Sequence, residues 1–331
     1  MNKSFNTNLS GNSNIAIIVS PLAMILIPMT ILGLVLNLFL AVVLSLDKCF
    51  NNRIYRLIRI SLISDIISNL TLTINYFFTL TMNTNYRLAK LLCQIIFYTT
   101  TSSYGVSIMT LCLIATDRYL VITKPTTRLH LSTQQHFILI GQIFVWIISL
   151  TTAVPIINLI DVYQNGANFC DFPIITPAVS IFLYLLTTTL YILPTIIIVF
   201  MYRKIILFTR KYIRPINFNH EQEHDHIARR KFVKMLITVT SCYVLMSWPF
   251  FATLLGIATT RVPMQRLWSV NQIYFLLAYF SFSVTIAITI INPILYLKFD
   301  LRIRKASILL LKGFVPHSRQ SHPMMVIPRG K

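Results

Sequence analysis

Residues 270–296 read VNQIYFLLAYFSFSVTIAITIINPILY, a run of 27 residues without a single Lys, Arg, Asp or Glu. A bilayer core requires about 20 consecutive apolar residues per helix, so this run predicts a transmembrane helix. Six further apolar stretches precede it, at roughly residues 15–46, 54–80, 90–122, 136–159, 176–202 and 231–258. The sequence therefore predicts an all-α membrane protein, a single seven-transmembrane helix bundle.

The composition excludes most soluble proteins. Of the 331 residues, 11% are charged and 55% are hydrophobic, and the mean hydropathy is +0.69. A soluble domain carries about 25% charged residues on its hydrated surface. The formal net charge of +20 could indicate a nucleic-acid partner, but such proteins carry their basic residues on a polar surface. We therefore predict no nucleic-acid partner and attribute the charge to basic loops of a membrane protein.

The distribution of basic residues predicts the orientation in the membrane. Of the 29 Lys and Arg residues, 24 lie on one side of the predicted bundle and five on the other. Basic loops stay in the cytosol, which places the N-terminus outside and the C-terminus inside. We predict an extracellular tail (1–14), a transmembrane domain (15–297), a cytosolic amphipathic helix 8 (298–311) and a cytosolic tail (312–331). Residues 1–14 do not resemble a cleavable signal peptide, so the first helix is expected to direct targeting.

Features of the predicted extracellular side agree with this orientation. Asn2 and Asn8 lie in Asn-x-Ser sequences, which are N-glycosylation acceptors on a lumenal tail. Cys93 and Cys170 both face the oxidising side, where a disulfide can persist. The remaining cysteines are interpreted as small core residues or free thiols: Cys49, Cys112 and Cys242.

Four polar side chains lie at comparable depth in different predicted helices, where lipid penalises such groups. They are Asp65, Asn37, Ser107 and Asn292. Converging on one carboxylate, they could hold a hydrated monovalent cation or share a proton. They could equally form a structural network that only fixes helix packing. The residues alone leave these alternatives open.

Other candidate functional residues lie toward the cytosol and within the later helices. The third helix ends with Asp117, Arg118 and Tyr119. The simplest interpretation is an arginine that extends toward the lipid headgroups, with its neighbouring acid as a partner. Proline removes a backbone hydrogen bond and bends a helix, and such bends act as hinges. Four prolines lie in the later predicted helices: Pro155, Pro194, Pro249 and Pro293.

Taken in order, these residues resemble the motifs of the rhodopsin-like (class A) G protein-coupled receptors over nearly the whole chain. Asp117-Arg118-Tyr119 is similar to the family's third-helix Asp-Arg-Tyr, with Cys93 positioned 25 residues before Arg118. Residues 292–296, Asn-Pro-Ile-Leu-Tyr, are similar to the Asn-Pro-x-x-Tyr of the seventh helix. Further matches at family spacing are Gly33, Asn37, Asp65, Trp146, Pro194 and Tyr202.

The resemblance implies a multi-pass plasma-membrane receptor, not an enzyme, that binds an extracellular ligand and activates a heterotrimeric G protein. It implies that Arg118, when released from Asp117, opens a cytosolic cleft. The activation switch implied by the family comprises Asp117, Arg118, Tyr119, Tyr202, Trp248, Pro249, Asn292, Pro293 and Tyr296. The family also implies a disulfide between Cys93 and Cys170, and an allosteric sodium pocket formed by Asp65, Asn37, Ser107 and Asn292.

The chain departs from the family pattern at three positions. The family usually has one residue between the sixth-helix tryptophan and proline, whereas Trp248 directly precedes Pro249. This rotates the indole by about 100° and puts Ser247 at the switch position. Arg229 replaces an acid that pairs with the third-helix arginine in many members, and Ile288 replaces a polar residue of sodium-binding members.

The outer halves of the helices predict a ligand pocket that combines aromatic and hydroxyl groups without a carboxylate. Thr100 stands where amine receptors of the family have an aspartate, and residues 270–297 contain no lysine for a retinal Schiff base. An amine ligand and light sensing are therefore not expected. The predicted pocket residues are Asn75, Tyr76, Thr100, Thr101, Tyr104, Phe250, Phe251, Leu254, Tyr274 and Tyr279.

The loop before the fifth helix indicates the class of ligand. Asn165-Gly166 between short apolar runs predicts a tight hairpin over residues 161–170. An open hairpin resembles peptide receptors of the family, and the rim carries Arg87, Lys90, Arg261 and Arg266 against Asp161 and Asp171. We therefore expect a neutral or mildly acidic peptide, with a lipid or another small neutral ligand as the alternative.

Two cytosolic segments have their own interpretation. His220 and His224 have zinc-ligand spacing on a helix, but a solvated acidic run is the preferred reading, and no metal site is predicted. Residues 298–311 alternate basic and apolar residues, as in a helix that lies on anionic membrane lipid. A small polytopic transporter is an alternative of another class, although it would require a continuous polar path through the bilayer.

Overall fold

The structure, a computed structural model, describes residues 12–81, 85–123, 128–164, 168–212 and 220–313. Within these ranges, seven helices are long and apolar enough to cross a membrane. They span Ile18–Leu46, Arg53–Leu80, Tyr86–Ile122, Ile138–Leu159, Pro177–Thr209, Val233–Thr260 and Gln272–Phe299. The predicted all-α seven-helix bundle is confirmed, and each span matches one of the seven apolar stretches.

The regular elements follow one another along the chain with short connections. The helices are α1 (Asn12–Leu46), α2 (Arg53–Leu80), α3 (Tyr86–Thr123), α4 (Arg128–Ala153), α5 (Ile156–Leu159), α6 (Pro177–Thr187), α7 (Leu193–Tyr212), α8 (His220–Thr260), α9 (Met264–Val270), α10 (Gln272–Phe299) and α11 (Leu301–Leu311). Two strands, β1 (Asp161–Gln164) and β2 (Asn168–Asp171), lie between α5 and α6. One π-helical turn, Thr188–Ile192, joins α6 to α7, so that these two helices form a single span.

Helix α3 lies at the centre of the bundle, where it contacts α2, α4, α7 and α8. Helix α1 packs on α2 and α10, and α8 packs on α10 and α6. Apolar side chains such as Ile25, Phe200 and Leu245 point outward and are exposed. Polar side chains such as Ser107 and Asn292 are buried in the interior. This distribution suits a helix bundle surrounded by lipid, because polar groups find hydrogen-bond partners only in the interior of the bundle.

The four predicted proline sites affect the helices in two ways. Pro249 and Pro293 lie inside the continuous helices α8 and α10. Pro155 lies between α4 and α5, and Pro194 follows the π-helical turn at the start of α7. Pro194 has no N–H group to donate to the carbonyl four residues earlier, and that carbonyl lies within the π-helical turn. Two of the expected bends are thus junctions between helical segments.

The predicted extracellular hairpin is present and is attached to the bundle at several points. β1 and β2 pair antiparallel, with Val162 opposite Cys170, while residues 165–167 at the turn lie outside the described residues. The predicted disulfide joins Cys170 to Cys93 of α3, with a Cα–Cα distance of 5.6 Å. The Asn168 Nδ2 atom donates to the backbone oxygen of Thr81 at 2.6 Å, at the end of α2. The hairpin is therefore held over the ends of α2 and α3.

The cytosolic helix α11 begins three residues later than predicted, because Asp300 caps it. The Asp300 Oδ1 atom accepts from the backbone N–H groups of Arg302 at 2.9 Å and Ile303 at 3.3 Å. Its Oδ2 atom accepts from the Tyr55 hydroxyl at 2.9 Å. Ile303 is buried against the bundle, so the capping carboxylate ties α11 both to its own first turn and to α2.

Candidate functional site

A cavity of about 120 Å³ lies beneath the extracellular hairpin. Helices α1, α2, α3, α8, α9 and α10 contribute to its wall, whereas none of the described lining residues belongs to α6 or α7. The lining is mostly aromatic and aliphatic, with hydroxyl and amide groups between. It consists of Val19, Leu72, Asn75, Tyr76, Thr79, Ile96, Phe97, Thr100, Thr101, Phe169, Cys170, Asp171, Phe172, Phe250, Ile257, Met264, Tyr279, Phe282 and Thr285.

The structure brings part of the predicted ligand pocket together around this cavity. Six predicted residues line it: Asn75, Tyr76, Thr100, Thr101, Phe250 and Tyr279. The other four do not. Phe251 and Leu254 are buried in the helix core, and Tyr274 is 58% exposed at the outer end of α10. Tyr104 lies one turn further along α3 than Thr100 and Thr101, and its ring packs against Phe251 and Tyr243.

Some lining residues that the prediction missed carry a signal in the sequence. Phe97 precedes Thr100 and Thr101 by about one helical turn, and Phe282 follows Tyr279 by three residues. Residues three or four apart lie on one helix face, so these positions follow from the predicted ones. Val19, by contrast, depends on how α1 packs against its neighbours, which periodicity does not determine.

The hairpin supplies the extracellular wall of the cavity, including Asp171, the one acid among the described lining residues. This side chain is 3% exposed. Its Oδ1 accepts from the backbone N–H of Phe172 at 2.8 Å, and its Oδ2 accepts from that of Gln265, in α9, at 2.9 Å. Burial raises the pKa of the Asp171 carboxyl to about 6, although these backbone donors oppose the rise. The carboxylate therefore connects β2 to α9 and offers little free capacity to a ligand.

The other acid of the rim is also engaged within the protein. Asp161 pairs with Lys90 at 2.8 Å and accepts from the Tyr86 hydroxyl at 2.9 Å. Partial burial opposes ionisation, but hydrogen bonds from Lys90, the backbone of Val162 and Tyr86 lower the pKa of Asp161. In the described part of the rim, exposed basic residues without an ion pair remain at Arg87, Arg261 and Arg266.

Deeper in the bundle, the buried Asp65 carboxylate gathers two of its three predicted partners. Ser107 donates to Asp65 Oδ1 at 2.9 Å, and Asn292 Nδ2 donates to Asp65 Oδ2 at 3.4 Å. The Nδ2 atom of Asn37 instead donates to the backbone oxygens of Gly33 and Thr289, each at 2.7 Å. Asn37 therefore joins α1 to α10 and does not bond to the carboxylate.

Two oxygen atoms in this region remain available to a cation. The Oδ1 atoms of Asn37 and Asn292 are buried without a hydrogen-bond partner among the described residues. Sodium binds to carboxylate, amide and hydroxyl oxygens, so the donor set around Asp65 suits it chemically. Ile288 is buried and offers no ligand atom. The Asp65 carboxylate and these two amide oxygens are therefore the groups in this region that could act as cation ligands.

At the cytosolic end of α3, Arg118 Nη2 lies 2.8 Å from Asp117 Oδ2, so the pair is closed in this structure. Tyr202 shares a hydrogen bond of 3.2 Å with Thr240 of α8. The hydroxyl of Tyr296 is buried, and no hydrogen bond reaches it within the described chain. The structure thus places these candidate switch residues on α3, α7 and α10, facing the interior.

The sixth-helix switch residues are displaced as the residue order predicts. Trp248 is 53% exposed on the outer surface, where its ring lies 6.2 Å from that of Tyr191. Ser247 is fully buried, and its Oγ donates to the backbone oxygen of Tyr243 at 2.6 Å. Because Trp248 faces outward, the geometry does not support its predicted place in an interior activation switch.

Several predicted sites fall beyond what the structure describes. Asn2 and Asn8 lie outside the described residues, as do the side chains of Arg229, His220 and His224. Across the parts of the chain that the structure describes, no group of three or more His, Cys, Asp or Glu side chains could hold a metal ion.

Comparison with known proteins identifies what the chain is similar to. Residues 36–296 match the model of the 7 transmembrane receptor (rhodopsin family). Melanopsin of Branchiostoma belcheri is 35% identical over 103 residues, which are 30% of this chain and 14% of that protein. Melanopsin-A of Danio rerio is 27% identical over 194 residues, covering 54% of the chain and 32% of the relative. Neuropeptide Y receptor type 2 of Mus musculus is 28% identical over 205 residues, 59% and 52% of the respective chains. The matched part thus spans at most about half the length of these curated relatives.

Proposed function

Because the chain belongs to the rhodopsin family of seven-transmembrane receptors, which are not enzymes, we propose that it converts binding of an extracellular peptide into activation of a heterotrimeric G protein. It is a multi-pass membrane protein with seven spans, and members of its family are typically located in the plasma membrane. The observation that carries the peptide proposal is the cavity, whose size and chemistry suit one side chain of a larger ligand.

The size of the cavity limits what can occupy it. Its volume of about 120 Å³ is well below the roughly 300–1,000 Å³ of pockets that enclose a drug-sized ligand. An apolar cavity of roughly 150 Å³ accommodates benzene, which approximates the ring of a phenylalanine side chain. A ligand that inserts one large apolar side chain and leaves the rest on the rim matches this volume. A peptide binds in that manner.

Charge distinguishes the inserted part of the ligand from the exposed part. Among the described lining residues, Asp171 is the only acid, and it already accepts two backbone hydrogen bonds. An anionic group in the cavity would lose its hydration without a cationic partner in the described lining, which costs several kcal/mol. On the rim, Asp161 is paired with Lys90, while Arg87, Arg261 and Arg266 are exposed. This charge favours a peptide with an uncharged apolar anchor and acidic residues beside it.

Similarity to melanopsins does not favour light sensing by this chain. Residues 270–297 contain no lysine to form a Schiff base with retinal, and the lysine nearest the end of α10 is Lys298, at the cytosolic end. The described cavity also lies between the extracellular hairpin and α10 without any lysine in its lining.

For signal transfer, we propose that ligand binding separates Arg118 from Asp117 and opens a cytosolic cleft for the G protein. Tyr202 and Tyr296 face the interior nearby, and Tyr296 has a hydroxyl with unused hydrogen-bonding capacity. The partly engaged carboxylate of Asp65 serves as a sodium site in the resting state under this proposal. The exposed bases of α11 contact anionic lipid headgroups, and residues 1–14 and 312–331 form the tails outside and inside the cell.

The experiment that tests this function is a screen of a secreted-peptide library against cells that express the full chain, with activation of each G protein subtype as the readout. We expect one or more peptides to activate the wild type. The response to these peptides should fall at least about tenfold in Arg118→Ala, and a factor of ten in an equilibrium corresponds to about 1.4 kcal/mol. Surface expression of both proteins is measured as the control. Activation by a lipid extract but by no peptide would overturn the peptide assignment, and full signalling by Arg118→Ala would overturn the mechanism.

A further inference from the structure

Tyr104 connects the floor of the cavity to the centre of the bundle. It does not line the cavity itself, but its ring lies 6.2 Å from that of Phe250, which does. On its other sides the ring lies 5.4 Å from Phe251 and 5.4 Å from Tyr243. Any displacement of Phe250 by a ligand therefore acts on Tyr104 through direct packing.

The hydroxyl of Tyr104 is buried, and among the described residues it has no hydrogen-bond partner of ordinary geometry. The side-chain hydroxyls of Ser247 and Tyr243, both on α8, lie close enough to interact with it, but neither forms a hydrogen bond of ordinary geometry with it. Ser247 is available at this place because Trp248 occupies the outward-facing position next to it. A buried polar group without a partner is unfavourable, so a small shift that supplies one is favoured.

The line of hydroxyl groups continues from this point to the buried carboxylate. Tyr243 has Ser107 of α3 as a polar neighbour, and its hydroxyl also lies 3.5 Å from the backbone oxygen of Tyr104. Ser107 donates to Asp65 at 2.9 Å. Four hydroxyl groups, those of Tyr104, Ser247, Tyr243 and Ser107, thus lie between the cavity floor and Asp65.

We propose that Tyr104 is a positioning residue for signalling, whose unpartnered hydroxyl gains a hydrogen bond with Ser247 or Tyr243 when an occupied cavity displaces Phe250. The new bond draws α8 into a different position against α3, and Tyr243 transmits the change through Ser107 to Asp65. Because Trp248 points outward in this chain, its indole cannot take part in this step. Hydroxyl groups perform the step instead. The inference deepens the proposed signalling function and rests on it, but it does not require that the ligand be a peptide.

The first test removes only the hydroxyl. Tyr104→Phe keeps the ring that packs on Phe250 and Tyr243, so a purely structural role leaves signalling unchanged. We expect ligand-independent G protein activation, measured at equal surface expression, to fall about fivefold, the factor that one hydrogen bond of ordinary net strength makes in an equilibrium. Tyr184→Phe is the matched control, because its hydroxyl bonds to Thr259 away from this line. Equal activation by the wild type and Tyr104→Phe would overturn the proposal.

The second test does not depend on signalling. Thermal unfolding of the purified full chain is measured for Tyr104→Phe, Asp65→Asn and the double variant, since coupled groups give non-additive shifts. We expect Tyr104→Phe alone to raise the midpoint, because it removes an unpartnered buried hydroxyl, and the double variant to depart from the sum of the single shifts. Additive shifts would overturn the connection to Asp65. A non-additive result in a chain that activates no G protein would reject the proposed function while retaining the connection.

Discussion

Replacing Asp171 by asparagine should change how the stability of the receptor depends on pH. The folded chain buries this carboxyl between β2 and α9 and raises its pKa from 3.8 to about 6. An acid whose pKa is raised by folding binds a proton more readily in the folded state, so stability increases as the pH falls through the folded value. The asparagine side chain of Asp171→Asn cannot ionise, so the variant lacks this pH-dependent contribution to stability. Its side-chain oxygen can still accept one backbone hydrogen bond.

The magnitude follows from the two pKa values. Above about pH 7 the carboxyl is ionised in both states, and between pH 6 and pH 5 only the folded state takes up the proton. Each pH unit over which only the folded state is protonated adds about 1.4 kcal/mol to the free energy of unfolding. The wild type should therefore gain about 1.4 kcal/mol between pH 8 and pH 5, or about 2–4 °C in the unfolding midpoint. The variant should gain only what the remaining groups contribute.

The assay is thermal unfolding of purified wild type and Asp171→Asn at pH 5, 6, 7 and 8 in one detergent. Other groups that titrate in this range are present in both proteins, so their effects cancel in the difference between the midpoints. Asp161→Asn is the control, because hydrogen bonds lower the pKa of Asp161 and its contribution is lost only below the ordinary value of 3.8. A difference between wild type and Asp171→Asn that stays constant from pH 8 to pH 5 would show that Asp171 is not buried in this way.

Two further predictions concern the cavity and the cytosolic helix. Phe282→Ala should weaken the potency of an activating peptide by at least about tenfold, which is about 1.4 kcal/mol, because Phe282 lines the cavity. Phe280→Ala is the control and should not change the potency, since Phe280 is exposed on the lipid side. Equal losses for the two variants in a dose–response assay would contradict the assignment of the cavity as the peptide site. Asp300→Ala should destabilise α11 by about 2 kcal/mol, roughly half from the lost helix cap and half from the lost acceptor of the Tyr55 hydroxyl. Faster hydrogen exchange of the amides in α11 measures this effect, and unchanged exchange would contradict it.

Properties that depend on one segment at a time could be predicted from the sequence. The length of an apolar stretch determines whether it spans a bilayer, so residues 270–296 predict the span Gln272–Phe299 closely. The hairpin also follows from local chemistry, since Asn165-Gly166 favours a tight turn between the strands that the structure contains. The pairing of Cys93 with Cys170 came from the resemblance to the receptor family, and the structure confirms it.

Properties that depend on contacts between segments could be predicted only in part. Position in the outer half of a helix selected Phe251 and Leu254 as pocket residues, but both lie on the face of α8 that packs into the core. The absence of α6 and α7 from the described cavity wall depends on how the helices are arranged around α3. Likewise, Asp171 is buried because the start of α9 meets β2, and no pattern near residue 171 indicates that contact.

The pair Ser247 and Trp248 shows how a local rule and a tertiary contact combine. A shift by one residue on a helix turns a side chain by about 100°, so the order Trp248-Pro249, compared with the family pattern, predicts a rotated indole and Ser247 at the switch position. The sequence does not indicate what then fills the interior, because the answer depends on α3. In the structure the space is occupied by Ser247 and the rings of Tyr104 and Tyr243. A bulky apolar group is thus replaced by hydroxyl groups next to a buried carboxylate, and hydroxyl groups respond to displacement by exchanging hydrogen bonds, whereas an indole responds mainly by repacking.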